Sequence, residues 1–339
     1  MISSRSRADV APSESTVAER VAGCLKGIAT GDAVGKQTEL LSYADVLRWY
    51  PYRIRGFEGL PGSVIPRYVG NRKREWRIGE TTADTERTIA VARAIIADQG
   101  RIDHTSIGRE MLQCRKSVHP GVKSLWEFHQ AGDPARIATR HDGCGAAIRV
   151  GPVGIVVRPD RLDDLVNGAR EASIPTHGGS VAIAAAAATA AAVSGAIEGW
   201  SAAEIITLAE SAAAKAERQW PGDPSVSVAR TLRGVHDELI SLPELPWTEI
   251  AAQHPSTHAL AVVPLALSLA TVMDSVQQAI LLAANVGGDS DSVASIAGGI
   301  LGARYPETVN HVWYDTVEAV NRHELLALVG ELVDLRRFR

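Results

Sequence analysis

Gly23-Cys24-Leu25-Lys26-Gly27-Ile28-Ala29-Thr30-Gly31-Asp32-Ala33-Val34-Gly35 carries a glycine at positions 23, 27, 31 and 35. Residues four apart share one face of an α-helix, so these glycines form a strip of bare backbone. Glycine weakens a helix relative to alanine, and so regular a series fits a surface that another helix approaches closely. The strip reads as a packing face and points to an all-α fold. Asp32 and Glu39 stand where the strip ends, and packing does not account for them.

Two other segments set oxygen-bearing side chains ahead of apolar helical runs. Asn285-Val286-Gly287-Gly288-Asp289-Ser290-Asp291-Ser292 precedes Val293, Ile296, Ile300 and Leu301, which recur at three- and four-residue spacing. Positions two apart on a helix face different ways. Asp289 and Asp291 therefore converge only with the first in the loop and the second in the opening turn. Gly79-Glu80-Thr81-Thr82-Ala83-Asp84-Thr85-Glu86 precedes Ile89, Ala90, Ala92, Ala94, Ile95 and Ile96 in the same manner. The plainer reading of each is a helix cap, since Asp, Ser and Thr are favoured there and acids suit the dipole. Two such clusters in one chain favour hard oxygen ligands for Mg²⁺, Mn²⁺ or Ca²⁺.

The ordered motifs GDAVG with the following Glu39, TTADT, GCGAAIRVGPVG, TH and NVGGDSDSVASIAGGILGARYP resemble the ADP-ribosylglycohydrolase family, over about residues 20 to 310. The resemblance implies one compact all-α domain, a pair of Mg²⁺ or Mn²⁺ ions, and hydrolysis of the N- or O-glycosidic bond at the anomeric carbon of a ribose. Carried over position by position, it implies metal ligation by Thr82, Asp84, Asp289, Asp291 and Ser292. It implies catalytic work for Glu39, Asp84 and Asp291. Sugar or phosphate contacts fall on the loop Gly143, Cys144, Gly145, Ala146 and Ala147, joined by Asp32, Arg149 and His177. For Arg149 the two readings are a bidentate diphosphate contact and a structural ion pair. His177 reads as a core histidine or, from its place in the TH motif, as part of the site.

Four positions depart from the family pattern. Ala83 stands where the family has a metal-ligating aspartate, and a methyl group does not coordinate, so one ion is expected to be weakened or lost. It reads either as a natural variant of altered activity or as an introduced change that traps substrate, and the intact motif around it favours the second. Cys144 replaces an asparagine common in the Gly-rich loop. Thr176-His177-Gly178-Gly179 lacks the Pro-containing tail often found there. Ser292 replaces threonine and keeps the hydroxyl.

Composition agrees with one soluble enzyme domain. The 339 residues are 45% hydrophobic but only 5% aromatic, so the core must be aliphatic and alanine-rich. No Pro/Ser linker or charge run divides the chain, and the expected domain is 16–339. Residues 1–15 read as a disordered tail and not as a signal peptide. A net charge of −4 and a pI near 6.2 argue against nucleic acid as a partner. Cys24, Cys114 and Cys144 show no pairing pattern, which fits a reducing, cytoplasmic setting. The run Val181–Ala196 is judged too short and too weakly apolar to cross a bilayer, so no membrane partner is expected.

Period-two alternation is scarce. Helices are expected at about 16–34, 82–99, 105–116, 180–197, 202–217, 226–240, 257–272, 274–285, 290–303, 307–318 and 323–336. Ile155-Val156-Val157 fits a short strand after a loop at 149–152. Arg67 to Arg77, with Arg72, Lys73 and Arg74, is a basic segment flanked by Tyr68 and Trp76. It reads as a solvated face or as a lid reaching a phosphate or base. His119 and His141 read as surface or loop residues.

Ribosyl cleavage passes through an oxocarbenium-like transition state, around which glycosidases pair an acid with a base. The carboxylates and metal implied here suit it, with Glu39 as the acid or base, and no Ser-His-Asp or Cys-His arrangement is visible. Three classes of function stand. One is a hydrolase acting on a ribosylated or ADP-ribosylated protein side chain or small nucleoside-like molecule. The others are an ADP-ribose-binding protein weakened by Ala83 and a purely structural helical protein.

Overall fold

The structure is a computed structural model that describes residues 15–59, 67–69, 72–74, 76–252 and 256–337. The tail expected over 1–15 lies outside the described residues except for Ser15. Thr16 then caps the Val17–Gly35 helix through a reciprocal arrangement with Glu19, whose amide donates to the Thr16 hydroxyl at 3.2 Å.

That helix is one half of the element pair that organises the molecule. A β-carbon at Gly23, Gly27, Gly31 or Gly35 would stand 2.0, 2.0, 2.2 or 2.5 Å from the carbonyl oxygens of Gly302, Gly298, Ala294 and Ser290. As one number climbs by four the other falls by four, so the Val17–Gly35 and Ser290–Arg304 helices run antiparallel, backbone against backbone. Any side chain on the strip forces the pair apart. The consequence for the site follows from direction alone. The C-terminal end of the first helix, with Asp32, meets the N-terminal start of the other, with Asp291.

The alanine-rich Ser180–Glu198 helix lies at the centre, packed by Gly151–Val156, Leu162–Ser173 and Ala202–Gln219. Its 19 residues and mean hydropathy of 1.8 do meet the length and composition of a membrane span, against the sequence expectation. However, 89% of its most apolar window is buried inside the protein, as a core helix requires. Small side chains are what admit so many close neighbours.

The expected helices are present, with shifted ends. The one at 105–116 stops at Met111, and 323–336 divides into a 3₁₀ turn Leu325–Leu328 and a helix Val329–Arg337. Four or more further helices were not expected, among them Tyr43–Trp49, Lys123–Ala131, Leu162–Ser173 and Trp247–Ala252. The strand expected at 155–157 is instead the end of the Gly151–Val156 helix. Its Pro152 sits in the first turn, where a missing N–H costs nothing. Within the basic segment, Arg67–Val69 and Arg72–Arg74 pair antiparallel as the two-stranded exception to an all-α fold. The side chains of those six residues lie outside the described set.

Candidate active site

Asp32 fixes the first approach of the site's elements. Its two carboxylate oxygens accept the Thr82 amide at 2.9 and 3.0 Å. One of them also accepts the Thr85 amide at 3.0 Å and the Thr85 hydroxyl at 2.5 Å. The start of the Ala83–Ala97 helix is thus tied to the end of the glycine-striped one. Asp32 was expected to contact substrate. It is fully buried, its oxygens are spent on this cap, and it does not line the cavity described below.

A second fastening sets Glu39. The Leu40 amide donates to the Gly288 carbonyl at 2.7 Å, and the Gly288 amide donates to the Leu41 carbonyl at 2.8 Å. Leu40 holds φ of 65°, a left-handed conformation costly for a side-chain-bearing residue. Gly287 (φ 78°) has no alternative, since a β-carbon there would lie 2.3 Å from the Leu41 carbonyl oxygen. The clamp brings Glu39 beside the Asp289–Asp291 loop.

The result is a cavity of about 540 Å³, within the range of small-molecule sites. One wall is oxygen-rich: Glu39, Thr82, Asp84, Asp289, Asp291 and Ser292. Carboxylate oxygens of Glu39, Asp289 and Asp291 all lie within 4.8 Å of one another. The Ser292 hydroxyl donates to Asp84 at 3.0 Å, joining the two helix starts. Burial first, then repulsion from Asp291, holds the Asp84 carboxyl well above the usual carboxylate range. Burial and then Asp289 do the same to Asp291, and burial and then Asp84 raise Asp289. Crowded, buried carboxylates at this spacing, with hydroxyls between them and no imidazole, are a donor set suited to a hard divalent cation. Another acid-containing group, Asp103, His104 and Glu171, is only half-buried and is engaged in a helix cap and a His104–Glu171 pair at 2.7 Å.

Gly143, Cys144 and Gly145, with Ser124, Asp142 and His177, line the cavity beside this wall. Cys144 takes the place of the family's asparagine and points its sulfur at the acids, donating to Asp289 at 3.0 Å. Burial and then Asp289 push this thiol well up, so it stays protonated. Ala146 and Ala147 of the same loop are buried behind the wall and do not reach the cavity. His177 does reach it, with Nδ1 2.7 Å from the Thr176 hydroxyl. Burial, and after it Arg149 and Arg87, hold its imidazole well below the usual range.

Arg149 requires a correction. Against the expected diphosphate contact or salt bridge, it does not line the cavity and has no ion pair among the described residues. The guanidinium is fully buried and donates to the carbonyls of Ala172, Gly145 and Ser173 at 2.9, 2.7 and 2.9 Å, and to the Thr176 hydroxyl at 2.9 Å. It braces the Gly-rich loop from behind. Among the described residues the arginine lining the cavity is Arg87, which the sequence analysis does not single out, although its place one turn after Asp84 is a usable signal. Lys36, Trp76, Lys116, His119 and His141 also line the cavity. His119 and His141 are therefore not mere surface residues, since the fold turns their loops inward.

Comparisons with known proteins bear on the family and the fold. The ADP-ribosylglycohydrolase family pattern matches residues 13–339. The chain is 28% identical to the uncharacterized protein YegU of Escherichia coli (strain K12), over 95% of this chain and 98% of that one. It is 26% identical to an uncharacterized protein of Archaeoglobus fulgidus, over 84% of this chain and 88% of the other. A solved structure described as an ADP-ribosylglycohydrolase-related protein complex superposes with a TM-score of 0.64 at 22% identity, covering 94% of this chain and 99% of its own, and so shares the fold. The chain belongs to the ADP-ribosylglycohydrolase family.

Proposed function

We propose that the chain is a metal-dependent hydrolase that cleaves the glycosidic bond at the anomeric carbon of a ribose and releases ADP-ribose from a modified substrate. The observation that carries this reading is the convergence of four carboxylates from three chain segments on one cavity wall. Asp84, Asp289, Asp291 and Ser292, with Thr82 beside them, form the donor set for Mg²⁺ or Mn²⁺, which when bound supplies Lewis acidity and a lowered water pKa. Glu39 is the acid–base group. Its side chain is 20% exposed against 7% for Asp84, and it contacts the Lys36 ammonium at the edge of the carboxylate wall. The Gly143–Gly145 loop, next to the acids through Cys144, supplies backbone and thiol surface against the sugar.

Ala83 favours a second reading, an ADP-ribose-binding protein with little turnover. Its methyl is buried between Thr82 and Asp84 and adds no oxygen to the wall. One assay separates the two. The full chain is incubated with ADP-ribosylarginine, ADP-ribosylserine and simple nucleosides, with Mn²⁺, with Mg²⁺ or with chelator. Metal-dependent release of free ADP-ribose supports the hydrolase. Tight ADP-ribose binding without release supports the binding protein, and release of free ribose from nucleosides alone would replace the ADP-ribosyl substrate with a small nucleoside. No binding or release with any of them removes the ribosyl reading.

A further inference from the structure

The cavity holds a second charged feature that the carboxylate wall does not explain. Arg87 lines it while 5% exposed, so its charge is nearly removed from water. Its Nε donates to the Ala83 carbonyl at 3.0 Å. Its terminal nitrogens donate no hydrogen bond among the described residues. The nearest carboxylate, Asp84, stands 3.8 Å from Nη2, beyond hydrogen-bond range. A guanidinium carries five N–H donors, and leaving most of them unused in a buried place is costly.

The neighbouring cations among the described residues are otherwise engaged. Lys36 contacts Glu39 and lies 4.8 Å from the centre of the Trp76 ring. Lys116 donates to the carbonyl of Thr81 and, at 3.1 Å, to its hydroxyl. Lys123 has a 73%-exposed side chain near Glu127. Arg87 also has space made for it. A β-carbon at Gly145 would stand 3.3 Å from Arg87 Nη1 and 2.6 Å from His177 Cε1, so glycine is what lets the two side chains converge.

We propose that Arg87 is a specificity-determining residue that grips a phosphate ester carried by the very ribose whose glycosidic bond is cleaved. The proposal rests on the ribosyl reading above. A guanidinium fork matches phosphate oxygens two at a time. Because Arg87 adjoins Asp84, an anion held by it lies directly beside the carboxylate wall where that sugar sits. The phosphate therefore belongs to the same sugar and not to a distant part of the substrate. That chemistry is shared by a ribose 5-phosphate monoester and by the diphosphate of ADP-ribose.

The test is calorimetric titration of the full chain, with Mg²⁺ present, by ribose, ribose 5-phosphate, ADP-ribose and inorganic pyrophosphate, repeated on Arg87→Met and Arg87→Lys. Both sugar phosphates should bind about 10- to 100-fold more tightly than ribose, the gain of a charge-assisted contact. Arg87→Met should erase that gain, and Arg87→Lys should restore part of it. Equal affinity for the two sugar phosphates identifies a monoester as the recognised group, whereas a further gain for ADP-ribose identifies the diphosphate; both support the proposal. Equal affinity of the unmodified chain for ribose and ribose 5-phosphate overturns it while leaving the ribosyl reading intact, and needs no variant to fold. Arg87-dependent binding of pyrophosphate with no ribose compound bound overturns the ribosyl reading and this proposal together.

Discussion

Two helix starts meet on one wall of the cavity, and their sequences look alike: Thr82-Ala83-Asp84 and Asp289-Ser290-Asp291-Ser292. Their electrostatics are opposite. The second contributes two buried carboxylates and a hydroxyl, with no cation among its own residues. The first contributes one carboxylate, a methyl where another acid is expected, and Arg87 one turn later. The second start is made to hold a cation; the first adds Asp84 to that set, and Arg87 also gives it the means to hold an anion. A ribose bearing a phosphate presents both needs within one sugar. Similar local patterns have thus been put to different work by single residues.

The sharpest way to break this comparison is to remove the cation side. Asp291→Asn keeps the shape and loses the charge, and turnover on the responsive ADP-ribosyl substrate should fall by about 10³-fold, the several kcal/mol that metal-assisted stabilisation provides. The same variant should lose the thermal stabilisation that Mn²⁺ gives the parent chain. Unchanged turnover and an unchanged Mn²⁺ shift would place the cation elsewhere.

Arg149 is the control for Arg87, since the two guanidiniums lie on the same side of the molecule but only one reaches the cavity. Arg149→Met removes four buried charge-assisted hydrogen bonds, and should cost on the order of 3 kcal/mol in urea unfolding. An unfolding midpoint equal to that of the parent would contradict the bracing role.

Ala83→Asp makes the two starts more alike. With a carboxylate restored, turnover should rise by about 100-fold, the worth of correct positioning, and bound Mn²⁺ should increase when counted by mass spectrometry of the intact chain. Equal turnover and equal metal content in both forms would make Ala83 a neutral variation.

The smallest effect concerns pH in metal-free protein. The Asp84 and Asp291 carboxyls are raised in the fold. Their contribution is therefore fully present below the unfolded carboxylate pKa and is lost as pH rises through the raised value. In chelator, melting temperature should decline between acidic and neutral pH more steeply for the parent than for Asp84→Asn, whose amide does not titrate. Depressed His177 opposes this trend in both proteins, so the difference between them is the measure. Identical slopes would show that Asp84 is not strained by its neighbours.

Much of this molecule was legible as sequence because the information was local. A glycine at every fourth position demands a backbone-close partner whatever that partner is, and oxygen-bearing residues ahead of an apolar run mark a helix start. The all-α fold, the acids at 84, 289 and 291, and the Gly-rich loop follow from such patterns and from family resemblance. What local pattern did not hold was direction. Asp32, Arg87 and Arg149 are each a charged residue on or beside a helix, and nothing in their neighbours says which will cap, which will brace and which will face the cavity. Tertiary contacts decided that: Thr82 and Thr85 brought to Asp32, Ala172, Ser173 and Thr176 brought to Arg149, and bare Gly145 beside Arg87. A buried charge takes its role from the partners that the fold brings within hydrogen-bond reach, 50 and 53 residues away for Asp32 and up to 27 away for Arg149.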